Sequence, residues 1–205
     1  MEKGFLKELL RLPKTVYSFK ELALLWTYAD SKTITSRISY YVKQGDLYPL
    51  RRGLYAKDKD YDRFELATKI FTPSYISFET VLLKAGIIFQ YYSQVFVATY
   101  QSKTISCDEK TYVFRKIKSP ILTNTIGVEI KENYSIATPE RAYLDMLYLH
   151  KDYYFDNLSS LNWDKVFEIS PVYQGNKRMK KLVMQHHKSV MENQSHDPFR
   201  IGASY

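Results

Sequence analysis

Near its start the chain repeats apolar residues at helical spacing. Phe5, Leu6, Leu9 and Leu10 form one stripe, and Pro13 ends the helix. Ser18 then opens a second helix, with Glu21 three positions on completing a capping box and Phe19, Leu22, Ala23 and Trp26 facing inward. Tyr28-Ala29-Asp30 reads as a turn. In the third helix Ile34, Ile38, Tyr41 and Val42 share one side, and Thr33, Ser36, Arg37, Tyr40 and Gln44 share the other, flanked by Lys32 and Lys43. Gly45-Asp46 closes it. Leu47–Leu50 and Leu54–Lys57 follow as two short strands, with Arg51-Arg52-Gly53 between them and Gly53 free to take a positive φ.

From Asp58 onward the pattern mixes helix and strand. Phe64–Phe71 and Phe78–Ala85 read as helices, the second ending at Gly86. Val95–Tyr100, Thr111–Lys116, Gly127–Ile130 and Tyr134–Ile136 read as short strands bounded by polar turns. Thr138 as N-cap and Pro139 behind it start a helix that runs through Leu149. Asn162–Ile169 and Lys177–Met191 are helical, the latter burying Met179, Leu182, Val183, His186 and Val190, and Asn193–Tyr205 reads as a loose tail. Ser77 and Thr138 are both read as N-caps. Glu79 and Glu140 then sit in first helical turns, where a carboxylate favours the dipole. Tyr75 and Arg141 are left as candidates for a partner surface.

The expected fold class is therefore α+β. An N-terminal winged helix-turn-helix occupies residues 1–57 and a mixed α/β domain residues 58–205. Such a module binds duplex DNA. The outer face of its third helix is short, polar and cationic, as insertion into a major groove requires, and arginines on a wing bind phosphates or enter a narrow minor groove. The expected DNA-binding residues are Lys32, Thr33, Ser36, Arg37, Tyr40, Lys43, Arg51 and Arg52. An exposed helix beside a basic hairpin also suits a protein-docking module.

Charge sharpens the reading. The chain of 205 residues carries a net +8. Residues 1–57 hold eleven Lys/Arg against five Asp/Glu, residues 58–176 thirteen against fifteen, and residues 177–205 six against two. A polyanion is thus attracted to the two ends and not to the body. Lys177, Arg178, Lys180 and Lys181, with Lys188 near the same face, form a possible second basic patch, although a solvated helix surface would look the same. One cysteine, Cys107, excludes an intramolecular disulfide and suits a reducing cytoplasm. The first residues hold no long apolar segment and no apolar run is long enough to span a bilayer, so a cytoplasmic protein without membrane contact is expected. Nineteen tyrosines and eleven phenylalanines are expected to fill the core and its rim.

Chemistry is harder to find. Asp108 with Glu129-Ile130-Lys131 has the outline of a metal-dependent nuclease, two carboxylates for an ion and a lysine beside them, but acid-x-Lys on an exposed strand is ordinary. Arg141 and Asp145 lie one helical turn apart and read as a structural ion pair. His186, His187 and His196 lack partners at zinc spacing, and Cys107 has no evident base. No enzymatic activity, cofactor or metal is expected.

Six stretches, in order, carry a family resemblance: Phe19-Lys20-Glu21-Leu22-Ala23, Ser36-Arg37-Ile38, Gly45-Asp46-Leu47-Tyr48, Arg51-Arg52-Gly53-Leu54-Tyr55, Pro73-Ser74-Tyr75-Ile76-Ser77-Phe78-Glu79 and Thr138-Pro139-Glu140-Arg141-Ala142-Tyr143-Leu144-Asp145. Together they resemble the AbiEi-type antitoxins of type IV (abortive-infection) toxin–antitoxin systems, over roughly Ser18 to Asp156. Where many members place a histidine before the glycine that ends the helix after the fifth stretch, this chain has Ala85. The resemblance implies a winged helix that binds inverted repeats in its own promoter and represses the operon. It also implies a second domain that counteracts a neighbouring nucleotidyltransferase-like toxin, without the two needing stable contact. A metabolite-sensing winged-helix repressor and a DNA-targeted nuclease are the competing readings.

Overall fold

Short capping signals decide the first elements. In the computed structural model, which describes residues 3–26 and 30–195, α1 (Lys3–Arg11) stops ahead of Pro13, and β1 (Val16–Ser18) leads into α2 (Phe19–Leu25). The capping box forms in both directions. Ser18 Oγ accepts from the Glu21 amide at 3.2 Å, and the Glu21 carboxylate accepts from the Ser18 amide at 2.8 Å. α3 (Ser31–Gln44) is capped by Asp30, whose carboxylate accepts from the Thr33 amide at 2.7 Å, and it ends on Gly45 in the left-handed conformation. β2 (Tyr48–Arg51) and β3 (Leu54–Ala56) form the hairpin, with Gly53 at φ 78° in its tip. Of the expected α1 stripe, Leu9 is fully buried but Leu10 is 52% exposed, because the small core covers only one side of that helix. The side chain of Phe5, and Tyr28 and Ala29 of the expected turn, lie outside the described residues.

β1 was not expected, since three residues are too few for alternation to register. It completes an antiparallel sheet of order β1-β3-β2. Successive residues on these strands point to opposite faces. Tyr17 enters a small core with Leu9, Leu22, Trp26, Ile34, Ile38, Tyr41 and Leu47, whereas Val16, Leu54 and Ala56 enter the larger core of the remaining chain. The small sheet is therefore shared by two cores. Pro49, which has no amide to donate, sits on β2 at the edge of this sheet.

The remaining elements are α4 (Arg63–Ile70), β4 (Ser74–Ile76), α5 (Glu79–Lys84), β5 (Val95–Thr99), β6 (Lys103–Cys107), β7 (Lys110–Lys116), α6 (Ser119–Leu122), β8 (Val128–Ile130), β9 (Ser135–Ala137), α7 (Pro139–Leu149), α8 (Trp163–Ile169), a 3-10 turn (Ser170–Tyr173) and α9 (Lys177–Ser195). The chain is thus a mixed α+β protein. Its six-stranded sheet runs β6-β7-β5-β4-β9-β8, parallel at β5–β7 and β4–β9 and antiparallel elsewhere. β6 escaped the pattern reading because it is an edge strand that buries only Cys107. Asn193–Ser195, expected in the tail, continue α9. His196 and the rest of the tail lie outside the described residues.

Three side-chain expectations are corrected by one buried network. Ser77 does not cap a helix: Phe78 holds the N-cap of α5, and Ser77 Oγ donates to Asp145 Oδ2 at 2.8 Å. Tyr75 and Arg141 are buried and so form no partner surface. The Arg141–Asp145 pair forms one turn apart on α7, at 3.3 Å and fully buried. Tyr75 and Tyr173 donate to the Asp145 carboxylate at 3.0 and 2.7 Å, and Arg141 donates to Tyr75 Oη and to the carbonyls of Ile121 and Ile126. Burial pushes the Asp145 carboxyl up, opposed by Arg141 and the three hydroxyls. The stretches 73–79 and 138–145 are thus two halves of one network, joined by the parallel β4–β9 pair.

Candidate nucleic-acid interface

α3 contains no acidic residue, and its apolar side is spent on the small core through Ile34, Ile38 and Tyr41. That leaves Lys32, Ser36, Tyr40 and Lys43 exposed, with Thr33 and Arg37 half-buried between them. Tyr40 is braced edge-on against Tyr41 at 5.7 Å between ring centroids. Arg51 and Arg52 are exposed at the hairpin tip. The tip is held in two places. The Phe19 amide donates to the Gly53 carbonyl at 2.8 Å, and buried Leu47 anchors the start of the hairpin beneath α3. Lys7 and Arg11, which pattern reading passed over, line a groove between α1 and Tyr40. Their only signal was placement opposite Leu9 on the α1 wheel.

The hairpin also rests on the larger core. Tyr48 and Leu50 pack on the larger core, Tyr48 Oη donates to Asp108 Oδ1 at 2.7 Å, and Cys107 Sγ donates to the Leu50 carbonyl at 3.1 Å. Tyr61 Oη donates to the other Asp108 oxygen at 3.0 Å. The bond to Asp108 raises the Tyr48 hydroxyl above its ordinary value, and burial pushes the Cys107 thiol up. Farther along the seam, the fully buried Glu65 accepts from the Thr15 amide and hydroxyl at 2.8 and 2.7 Å. Glu21 binds Lys14 at 2.8 Å and Lys69 at 2.6 Å. Burial alone would raise the Glu21 carboxyl, but hydrogen bonds from Lys14, Lys69 and the Ser18 amide bring it down to about 2.

On α9, Lys177, Lys180, Lys181 and Lys188 are exposed. Arg178 is not part of that surface. Its guanidinium donates to the carbonyls of Leu147 at 2.7 Å and Tyr148 at 3.1 Å and so closes the C-terminus of α7.

The nuclease outline does not assemble. Asp108 follows β6 at one edge of the six-stranded sheet, whereas Glu129 lies on β8 at the other edge, paired to Lys131 at 2.6 Å. Tyr143 Oη and His186 Nδ1 lie 2.9 Å apart, and His187 stands against Trp163 and Phe167. Among the described residues no three histidine, cysteine or carboxylate side chains gather as a metal-binding group, and no helix is long and apolar enough to cross a membrane. No protein-family model and no curated protein sequence matches the chain.

Proposed function

We propose that the protein is a DNA-binding antitoxin that represses its own operon and counteracts a nucleotidyltransferase-like toxin encoded beside it. In this reading residues 1–57 act as a winged helix-turn-helix in the cytoplasm, with α3 laid into the major groove and the β2–β3 hairpin as the wing. The observation that carries it is the pairing of an acid-free, exposed polar face on α3 with an arginine-tipped hairpin that Leu47 and Tyr55 tie to the same small core. Thr33, Ser36, Arg37 and Tyr40 face the base edges, and Lys32 and Lys43 flank them at phosphate positions. Arg51 and Arg52 follow the backbone or enter the minor groove. The antitoxin role rests on the six stretches that resemble the AbiEi type.

The test is a titration of a labelled duplex taken from upstream of the protein's own coding sequence. If Arg51 and Arg52 each neutralise a phosphate, their double replacement by alanine lowers the salt slope of log K by roughly 1.8, at about 0.9 per contact. Binding that stays as tight and as salt-dependent as in the wild type removes the wing from the mechanism. Failure of the full chain to relieve growth arrest by a neighbouring nucleotidyltransferase removes the antitoxin role.

A further inference from the structure

Asp108 occupies an unusual place. It lies in the β6–β7 turn with φ 52°, followed by Glu109 at φ 61°. Two adjacent non-glycine residues in the left-handed region carry strain that Asp tolerates better than most. The turn is thereby tight, and it presents one carboxylate oxygen to the hairpin and the other to the segment before α4. One takes the hydroxyl of Tyr48 on β2, and the other takes that of Tyr61, just before α4. A lysine stands over each ring, Lys59 over Tyr48 at 5.6 Å and Lys110 over Tyr61 at 5.0 Å. Next door, the Cys107 thiol donates to the carbonyl of Leu50, one residue from Arg51. Tyr61 and Cys107 belong to the larger core and Tyr48 packs against it, but the hydrogen bonds to Asp108 and Leu50 are additional to the strand pairing. The hairpin has its own strand pairing to β1 through β3, and β6 its own pairing to β7.

We propose that Asp108 is a positioning residue for the wing: by joining Tyr48 of the hairpin to Tyr61 of the second domain, it fixes where Arg51 and Arg52 stand relative to α3 and so sets their contacts with duplex DNA. This rests on the DNA-binding reading above. The Phe19–Gly53 bond already restrains the tip next to β3, and each phosphate contact would first have to overcome what freedom remains on the β2 side, which carries Arg51. The clamp removes it before DNA arrives. The second domain thus acts on DNA without touching it, through one carboxylate.

The experiment uses the full chain with Tyr48→Phe, which deletes one hydroxyl, and Asp108→Asn, which keeps a residue type that tolerates positive φ. Each is placed in the wild-type background and in the Arg51→Ala/Arg52→Ala background, and thermal stability is checked in all. The probe is the duplex from upstream of the coding sequence. Tyr48→Phe is expected to weaken binding roughly 3- to 10-fold, the range of one lost hydrogen bond, in the wild-type background only. Asp108→Asn, whose amide can keep a neutral bond to each hydroxyl, should do less, and amide hydrogen exchange across residues 48–55 should quicken more in Tyr48→Phe than in Asp108→Asn without DNA. Equal loss in the two backgrounds, unchanged affinity, or unchanged hairpin exchange each overturns the proposal. If the wild type binds through Arg51 and Arg52 and Tyr48→Phe is neutral, only this inference falls. If the wild type does not bind the duplex, the DNA-binding reading falls and takes the inference with it.

Discussion

Asp145 has no solvent exposure, and four side chains bond to its carboxylate: Arg141, Tyr75, Ser77 and Tyr173. Removing one partner of such a pair strands the other charge in a low-dielectric site. Asp145→Ala is therefore expected to cost about 3–5 kcal/mol in urea unfolding. Ser77→Ala, which deletes one hydrogen bond to the carboxylate, should cost about 1.5–3 kcal/mol. A neutral Ser77→Ala would mean that the network does not need that hydroxyl. Glu21 gives a pH signature. Its folded value of about 2 lies below its ordinary 4.5, so its contribution to stability is present above pH 4.5 and is lost as pH falls through about 2. The stability gap between wild type and Glu21→Gln should accordingly shrink across that window, and a gap independent of pH would rule out the ion-paired state of Glu21.

At the scale of elements, helix ends explain much of the polar sequence. Ser18, Asp30, Asp62, Thr138 and Asn162 all cap helices through their side chains, and Pro139 and Gly45 punctuate them. Arg178 joins this group from a distance, since it belongs to α9 and closes α7. Arg178→Ala should thus lower stability by about 1–2 kcal/mol while leaving the proposed affinity for duplex DNA, per folded molecule, unchanged. Lys181→Ala, on the exposed side, should leave stability within about 0.5 kcal/mol of wild type. The reverse pattern in paired melting and duplex titrations would return Arg178 to the basic surface.

On the scale of the whole molecule, the small sheet decides how the parts cooperate. Val16, Leu54 and Ala56 are buried in the larger core while Tyr17 is buried in the smaller, and the Thr15–Glu65 and Glu21–Lys69 contacts stitch the same seam. The chain's two tryptophans divide between the cores, Trp26 in the small one and Trp163 in the large. Single-tryptophan variants should report coincident denaturant transitions, because unfolding either core exposes one face of the shared sheet. Well-separated midpoints would show that the two cores are independent. Glu65→Ala, by leaving the Thr15 amide unpaired at the seam, is expected to lower both midpoints together.

What could be read along the chain was whatever depends on near neighbours. Capping at Ser18 and Thr138, the Gly45 stop, the Gly53 tip, the two-sided α3 and the buried side of α9 all follow from spacings within a turn or two. So does the Arg141–Asp145 pair, at one turn's separation. Ser77 was misread because a serine before a helix has the same local signature whether it caps that helix or bonds to a carboxylate 68 residues away. Asp108 and Glu129 looked like partners because only distance along the chain is visible there, and strand order put them at opposite edges of one sheet. Tyr48, Tyr61 and Asp108 looked unrelated for the same reason. Which face of the hairpin meets solvent, and which charges are spent inside the protein, depends on long-range packing, and no local spacing encodes it.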